Sequence, residues 1–155
     1  ERKDFFYGLY KGQLRQAGAK YVVHFDLYEG DRLVYAIFFA TQHWLGADKM
    51  KHAIWKVDPF GGFAFHGTHD EQLTLGIGAD FGPLREALRD HFAGKGWVRI
   101  ETVEAFVGSD QTDYHTSHLR KQALVPMEIA GAIEVDEKSR KKKRTYPDRT
   151  RLRFQ

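Results

Sequence analysis

Six cations crowd into residues 138–144: Lys138, Arg140, Lys141, Lys142, Lys143 and Arg144. Arg149 follows shortly after. Positive charge at this density is suited to phosphate neutralisation, which gives salt-dependent affinity without sequence preference. Upstream, Tyr114, His115, Thr116, Ser117, Arg120 and Lys121 stand at the start of a helical pattern. Hydroxyls and cations in that position are the groups that reach phosphates and base edges. Together these residues form the expected nucleic-acid interface, with duplex DNA as the expected partner. The bland alternative is a lysine-rich loop that is simply solvated, on a module that binds protein.

Other residue sets point to chemistry less specifically. His66 and His69, beside Asp70 and Glu71, have ligand types but lack the i, i+4 spacing of a helical metal pair, so surface histidines are expected there. His115 and His118 flank the start of the candidate recognition helix and are expected to cap it or touch phosphate rather than bind metal. Gly76, Gly78 and Gly82 resemble a phosphate loop only in composition. No βαβ unit follows them, and a linker is the expected reading. Asp58-Pro59-Phe60 has one proline where the amino-methyltransferase signature has two, and reads as a helix stop. No Ser-His-Asp arrangement, P-loop or acidic pair stands out. Neither a catalytic residue nor a bound cofactor is expected in this stretch of chain.

The elements that must position the cations are legible from hydrophobic spacing. Residues 97–155 read as a short strand, a helix, a second helix, a strand, a basic loop and a closing strand, which is the order of a winged helix-turn-helix. In the first helix Thr102 is the expected cap, with Val103, Phe106 and Val107 facing inward. In the second, Leu119, Ala123, Met127 and Ile129 face inward, Pro126 kinks the helix or ends its first segment, and Gly131 caps it. The wing is expected as a hairpin, with KSRKKKRTYP between AIEV and TRLRF.

Ahead of this, residues 4–17 read as a helix with Phe5, Phe6, Leu9, Tyr10 and Leu14 at helical spacing, stopped by Gly18. Residues 21–28 and 33–40 read as strands around an EGDR turn. The second, LVYAIFFA, is apolar on both faces and so is expected to be central. Residues 43–57 read as a helix, FAFHGTHDE as a loop and QLTL as a short strand or extended link. GIGADFGPL reads as the boundary, with Pro83 opening a helix over residues 83–93. The expected fold class is α+β, with a partial α/β segment over residues 1–78 and a winged-helix domain over residues 79–155.

The 155 residues are 42% hydrophobic and 14% aromatic, enough to bury a core on rings. There is no Cys, which excludes disulfides, thiolate zinc sites and a cysteine nucleophile, and fits a reducing, cytoplasmic compartment. No apolar run approaches the roughly 20 residues of a membrane span. The first residues, ERKDFFYG, contain no signal-peptide core and no initiator Met, and the chain is expected to be a piece of something longer. Residues 136–155 carry nine Lys/Arg against three Asp/Glu, a net +6, which leaves −3 for the rest of a chain whose formal charge is +3. The positive charge is local, so an anionic partner is expected at that end.

The run VYAIFFATQHWLGADKMKHAIWKVDPFGGFAF resembles the three-Cys-motif partner family, which reads like "YYLFFATNHPxGLxxMKxAMWKVDP". YHTSHLRKQALVPMEIAGAIEV resembles that family's "FxxTHLKxALKxLExxGxIEV", and RTYPDRTRLRF its "GTFPDGTxIRF". QLTL also falls in family order, and the likeness runs through most of the chain. The chain departs from the pattern at His43-Trp44, where the family commonly has Asn-His-Pro. The resemblance implies a methyltransferase-like α/β domain whose donor-binding half lies outside this stretch, an appended winged helix, and a radical-SAM-type three-cysteine protein as partner. The implied setting is DNA modification, repair or phage conflict.

Overall fold

The computed structural model describes residues 2–60, 62–65 and 78–155. The fold is mixed α+β, and the chain divides into two compact units, Glu1–Ala79 and Asp80–Gln155. The QLTL segment, His66, His69 and Gly76 lie outside the described residues, so the metal reading and the first glycine of the glycine-loop reading fall there.

The first unit is built on a hairpin of β1 (Tyr21–Glu29) and β2 (Arg32–Thr41), paired antiparallel. Gly30 turns it with φ +57, a conformation that costs glycine nothing. A short β3 (Ala64–Phe65) pairs parallel with β1, giving the order β2-β1-β3. The expectation that the second run is central is therefore corrected: among the described residues β1 is central and β2 lies at the edge. Val22, Val23, Phe25 and Asp26 of β1 are buried, whereas β2 has no buried residue and exposes Val34, Tyr35 and Ile37. A doubly apolar run marks a strand, but its neighbours decide whether both faces are covered.

Helix α2 (Trp44–Val57) buries Ala47, Ile54 and Trp55. It ends at Asp58, whose carboxylate accepts the N–H groups of Phe60 and Ala64, so DPF does act as a stop. Helix α1 (Arg2–Gln16) has no buried residue. It is held to the sheet by polar groups: Lys3 Nζ lies 2.5 Å from Asp26 Oδ2, and the Tyr7 hydroxyl donates to Asp26 Oδ1 at 2.7 Å. Burial, and then the Asp26 carboxylate, push the Tyr7 phenol up to about 12. Tyr7 and Tyr10 set their rings edge-on against Phe38. Of the other apolar residues read from helical spacing, Phe5, Phe6 and Leu9 turn the other way, at 67%, 51% and 52% exposed.

The second unit opens with α3 (Gly82–Phe92), which has Pro83 in its first turn and buries Leu84, Leu88 and Phe92. Strand β4 (Val98–Arg99) runs into α4 (Ile100–Gly108), which buries Val103, Phe106 and Val107. Thr102 does not cap α4, because the helix begins two residues earlier. Its first turn is held by main chain instead: Ile100 N–H donates to Thr150 O at 2.8 Å, and Arg149 N–H donates to Glu101 Oε1. The second helical stretch changes form as it runs: a 3₁₀ turn (Thr116–His118), a π segment (Leu119–Leu124) and α5 (Val125–Ile129). Pro126 explains the interruption. It has no N–H to give the Gln122 carbonyl and its ring crowds that carbonyl. Gln122 O accepts Arg85 Nη1 instead, at 3.0 Å.

Helix α5 ends in a Schellman pair: Ala132 N–H donates to Met127 O and Gly131 N–H to Glu128 O, with Gly131 at φ +72. Ile129 is 63% exposed at this end and is not a core residue, although Leu119, Ala123 and Met127 are. Strands β5 (Ile133–Val135) and β6 (Arg151–Phe154) pair antiparallel, β4 adds to β6, and the sheet order is β4-β6-β5. Leu152 and Phe154 alternate into the core against the α3 and α4 side chains.

His91 on α3 stacks on Phe106 with ring centroids 4.1 Å apart. Burial, and then the Lys95 charge, hold its imidazole below the usual histidine range. The unfolded chain therefore binds this proton first. Stability is full above about pH 6.5 and is lost as pH falls toward the depressed folded value. In urea unfolding between about pH 7 and 5, H91F should show a shallower fall in stability than the parent.

Candidate nucleic-acid interface

The expected interface residues fall into two groups. Those presented outward are Ser117, Lys121, Lys138, Lys141, Lys142, Lys143, Arg144 and Arg149, all exposed, with Thr116 half-buried. The others are engaged within the second unit. Tyr114 lies ahead of the helical stretch and its hydroxyl donates to Asp80 O at 2.7 Å; burial raises its phenol pKa. His115 is buried. Its carbonyl accepts the His118 N–H, its ring lies 3.8 Å from that of His118, and its side chain makes no cap bond. Arg120 donates from Nε to Tyr146 O at 3.0 Å, and its Nη1 lies 2.7 Å from Glu104 Oε1.

Arg140 is the clearest departure from the sequence reading. Its side chain is 2% exposed. Nη1 and Nη2 donate to the two Glu128 oxygens at 2.9 and 2.8 Å, and Nη2 also donates to Glu137 Oε1 at 2.7 Å. A guanidinium matched to carboxylates in this fork geometry, and this deeply buried, is not presented to phosphate. The Arg140 hydrogen bonds hold the Glu128 carboxyl well below its usual range, with Tyr146 adding to the effect. Burial, and then Glu128, raise the Tyr146 phenol, whose hydroxyl donates to Glu128 Oε2 at 2.5 Å.

This network gives the basic loop its shape. Residues 136–150 do not extend a hairpin as the wing reading expects. They contain a 3₁₀ turn (Glu137–Ser139), capped by Asp136, and otherwise irregular chain. The loop turns back because Arg140 and Tyr146 both reach Glu128 at the end of the second helical stretch. Between those anchors, Lys141, Lys142, Lys143 and Arg144 are left facing outward. Thr145 Oγ1 donates to Lys142 O, and Arg144 has φ +59. Arg151 closes the base of the loop by donating to Asp136 from Nε at 2.9 Å.

The anchors Glu128, Glu137 and Tyr146 were not among the expected site residues. The Glu137–Arg140 pair has i, i+3 spacing and was available to sequence reasoning. Glu128 lies on a separate element, and no periodicity links it to Arg140.

Loop and helical stretch flank an open groove of about 770 Å³. It is lined by Arg120, Lys121 and Val125 on one side and by residues between Lys138 and Pro147 on the other, including Arg144 and Tyr146. Among the described residues, no group of three His, Asp or Glu is placed to hold a metal ion, and no helix is long and apolar enough to cross a membrane. No family model, no curated protein and no solved structure matches the chain.

Proposed function

We propose that residues 80–155 are a nucleic-acid-binding module of winged-helix type, which grips the phosphate backbone with residues 138–149 and sets Thr116, Ser117 and Lys121 beside a groove of the DNA. One observation carries this reading. Four exposed cations of the basic loop, Lys141, Lys142, Lys143 and Arg144, sit between two anchors on one carboxylate, so their charge is displayed on a held surface rather than a solvated tail. Preorganised cations lose less conformational freedom on binding than free lysines. The order α3, β4, α4, second helical stretch, β5, loop, β6, with sheet order β4-β6-β5, supports the winged-helix assignment. The resemblance to three-Cys-motif partner proteins supports placing the module in a methyltransferase-like protein that acts in DNA modification, repair or defence.

Fluorescence anisotropy of the chain on short duplex DNA, at salt from about 50 to 200 mM, tests this. The expected result is log K falling linearly with log salt at a slope of roughly −4, the value for four or five phosphates. A flat salt dependence, or no binding at the lowest salt, removes the reading.

A second reading is favoured by the outward row of Phe5, Phe6 and Leu9 on α1, each more than half exposed. On this reading the chain docks a protein, the radical-SAM-type partner, through an aromatic face without touching DNA. It predicts salt-insensitive binding to that partner and negligible DNA affinity.

A further inference from the structure

A duplex backbone crossing the module needs projecting cations but no concavity behind them. The groove between the second helical stretch and the basic loop is therefore more than phosphate gripping requires. Its volume, about 770 Å³, lies in the range of sites that enclose an organic ligand, far above the need of a phosphate group. The surface it offers is mainly apolar, from Val125, Pro147 and the alkyl stems of the flanking Lys and Arg residues, with the buried Tyr146 behind them. Lys121, Lys141, Lys142 and Arg144 line the same groove and are exposed, so their charges meet solvent beside that apolar surface.

The groove wall is braced by hydrogen bonds. The Tyr146 hydroxyl donates to Glu128 and its carbonyl accepts from Arg120, so both ends of the residue are tied. Arg140, though it lines the groove, has its guanidinium taken by Glu128 and Glu137 and contributes shape rather than a free charge. Arg144 lines the groove from a left-handed backbone, φ +59, a conformation that costs a non-glycine residue energy.

An apolar slot bordered by cations fits a ligand with a flat apolar body and an anionic group on each side. Within a nucleic acid this is a nucleotide whose base is neither stacked nor paired, because duplex stacking hides the base faces. We propose that the groove seats one unpaired nucleotide of a single strand. The base lies over Val125 and Pro147, and the flanking phosphates lie on Lys121, Lys141, Lys142 and Arg144. The proposal rests on the phosphate-gripping reading and adds a ligand class to it.

The test uses the whole chain and labelled oligonucleotides about eight nucleotides long: oligothymidylate, oligouridylate, the fully abasic deoxyribose-phosphate strand, and a blunt duplex of equal length. At about 0.15 M salt an intact single strand should bind roughly tenfold more tightly than the abasic strand and the duplex, as expected for one base seated on an apolar surface. V125A should weaken the intact strand several-fold and leave the abasic strand unchanged, which ties the loss to the base. Thymidylate against uridylate separates DNA from RNA as the source of the strand. Equal affinity for intact, abasic and duplex probes overturns the nucleotide site while phosphate gripping stands. So does V125A weakening the intact and abasic strands alike. No binding of any probe at about 50 mM salt overturns both readings together.

Discussion

Changing Lys141, Lys142, Lys143 and Arg144 together to alanine should make DNA binding nearly indifferent to salt. Each phosphate neutralised contributes about 0.9 to the slope of log K against log salt, so losing four contacts removes about 3.6 units of slope. At about 50 mM salt this corresponds to at least a hundredfold loss of affinity. Folding should be untouched, because all four side chains are exposed and none of them holds the loop. Exposed substitutions of this kind stay within about 0.5 kcal/mol each. The check is a salt titration by anisotropy beside a thermal melt of the same sample. An unchanged slope in a folded variant would show that the loop does not touch phosphate. R140M should behave in the opposite way, losing stability while keeping most of the slope.

Glu128→Ala should be the most destabilising single change in the second unit's polar network. It removes the bidentate partner of a guanidinium whose side chain is 2% exposed, and also the acceptor of the Tyr146 hydroxyl. Stranding one member of a buried ion pair costs about 3–5 kcal/mol, and Arg140 keeps Glu137, so about 3 kcal/mol is expected. In a unit of this size that lowers the melting temperature by roughly 12 °C or more.

The double variant E128A/R140M should recover much of the loss, because an apolar side chain of similar length in place of the cation leaves no uncompensated charge. A pH series separates this from simple loss of packing. The Glu128 carboxyl is held below its ordinary 4.5 by Arg140. Its contribution is present above that value and is lost as pH falls through the lowered folded value. Wild type and E128A should therefore converge in stability at low pH. A constant gap across the acid range would contradict the assignment.

The elements were more legible in the sequence than the paths between them. Leu84 and Leu88 in one helix, Val103 and Val107 in the next, and Leu152 and Phe154 in the last strand lie at spacings that mark a buried face, and each is buried. Pro126 was readable as a helix interruption because its effect is local and chemical. Burial of β1 rather than β2 was not readable, since both runs are apolar and the outcome depends on the elements that pack against each strand. Thr102 has the right type for a cap, but Ile100 finds an acceptor in the Thr150 carbonyl, so the helix starts earlier.

The cations illustrate the same limit at the candidate site. In KSRKKKR all six look equivalent, yet Arg140 is turned inward by Glu128, a residue on a separate helical element. Charge density was legible, whereas the division between displayed and internal charge required the tertiary fold.

Four consecutive basic residues on an exposed loop are also preferred cleavage sites for trypsin-like proteases, which bind their substrates as extended chain. Here the bonds on both sides of that run converge on one carboxylate, from Arg140 before it and from Tyr146 after it. Stretching residues 141–145 into a protease cleft therefore requires those bonds to open first. When opening and closing are fast relative to cleavage, the cutting rate follows the population of the opened loop rather than the number of lysines in it. The Glu128 anchor thus shields this basic run without covering it, leaving the same side chains accessible to solvent.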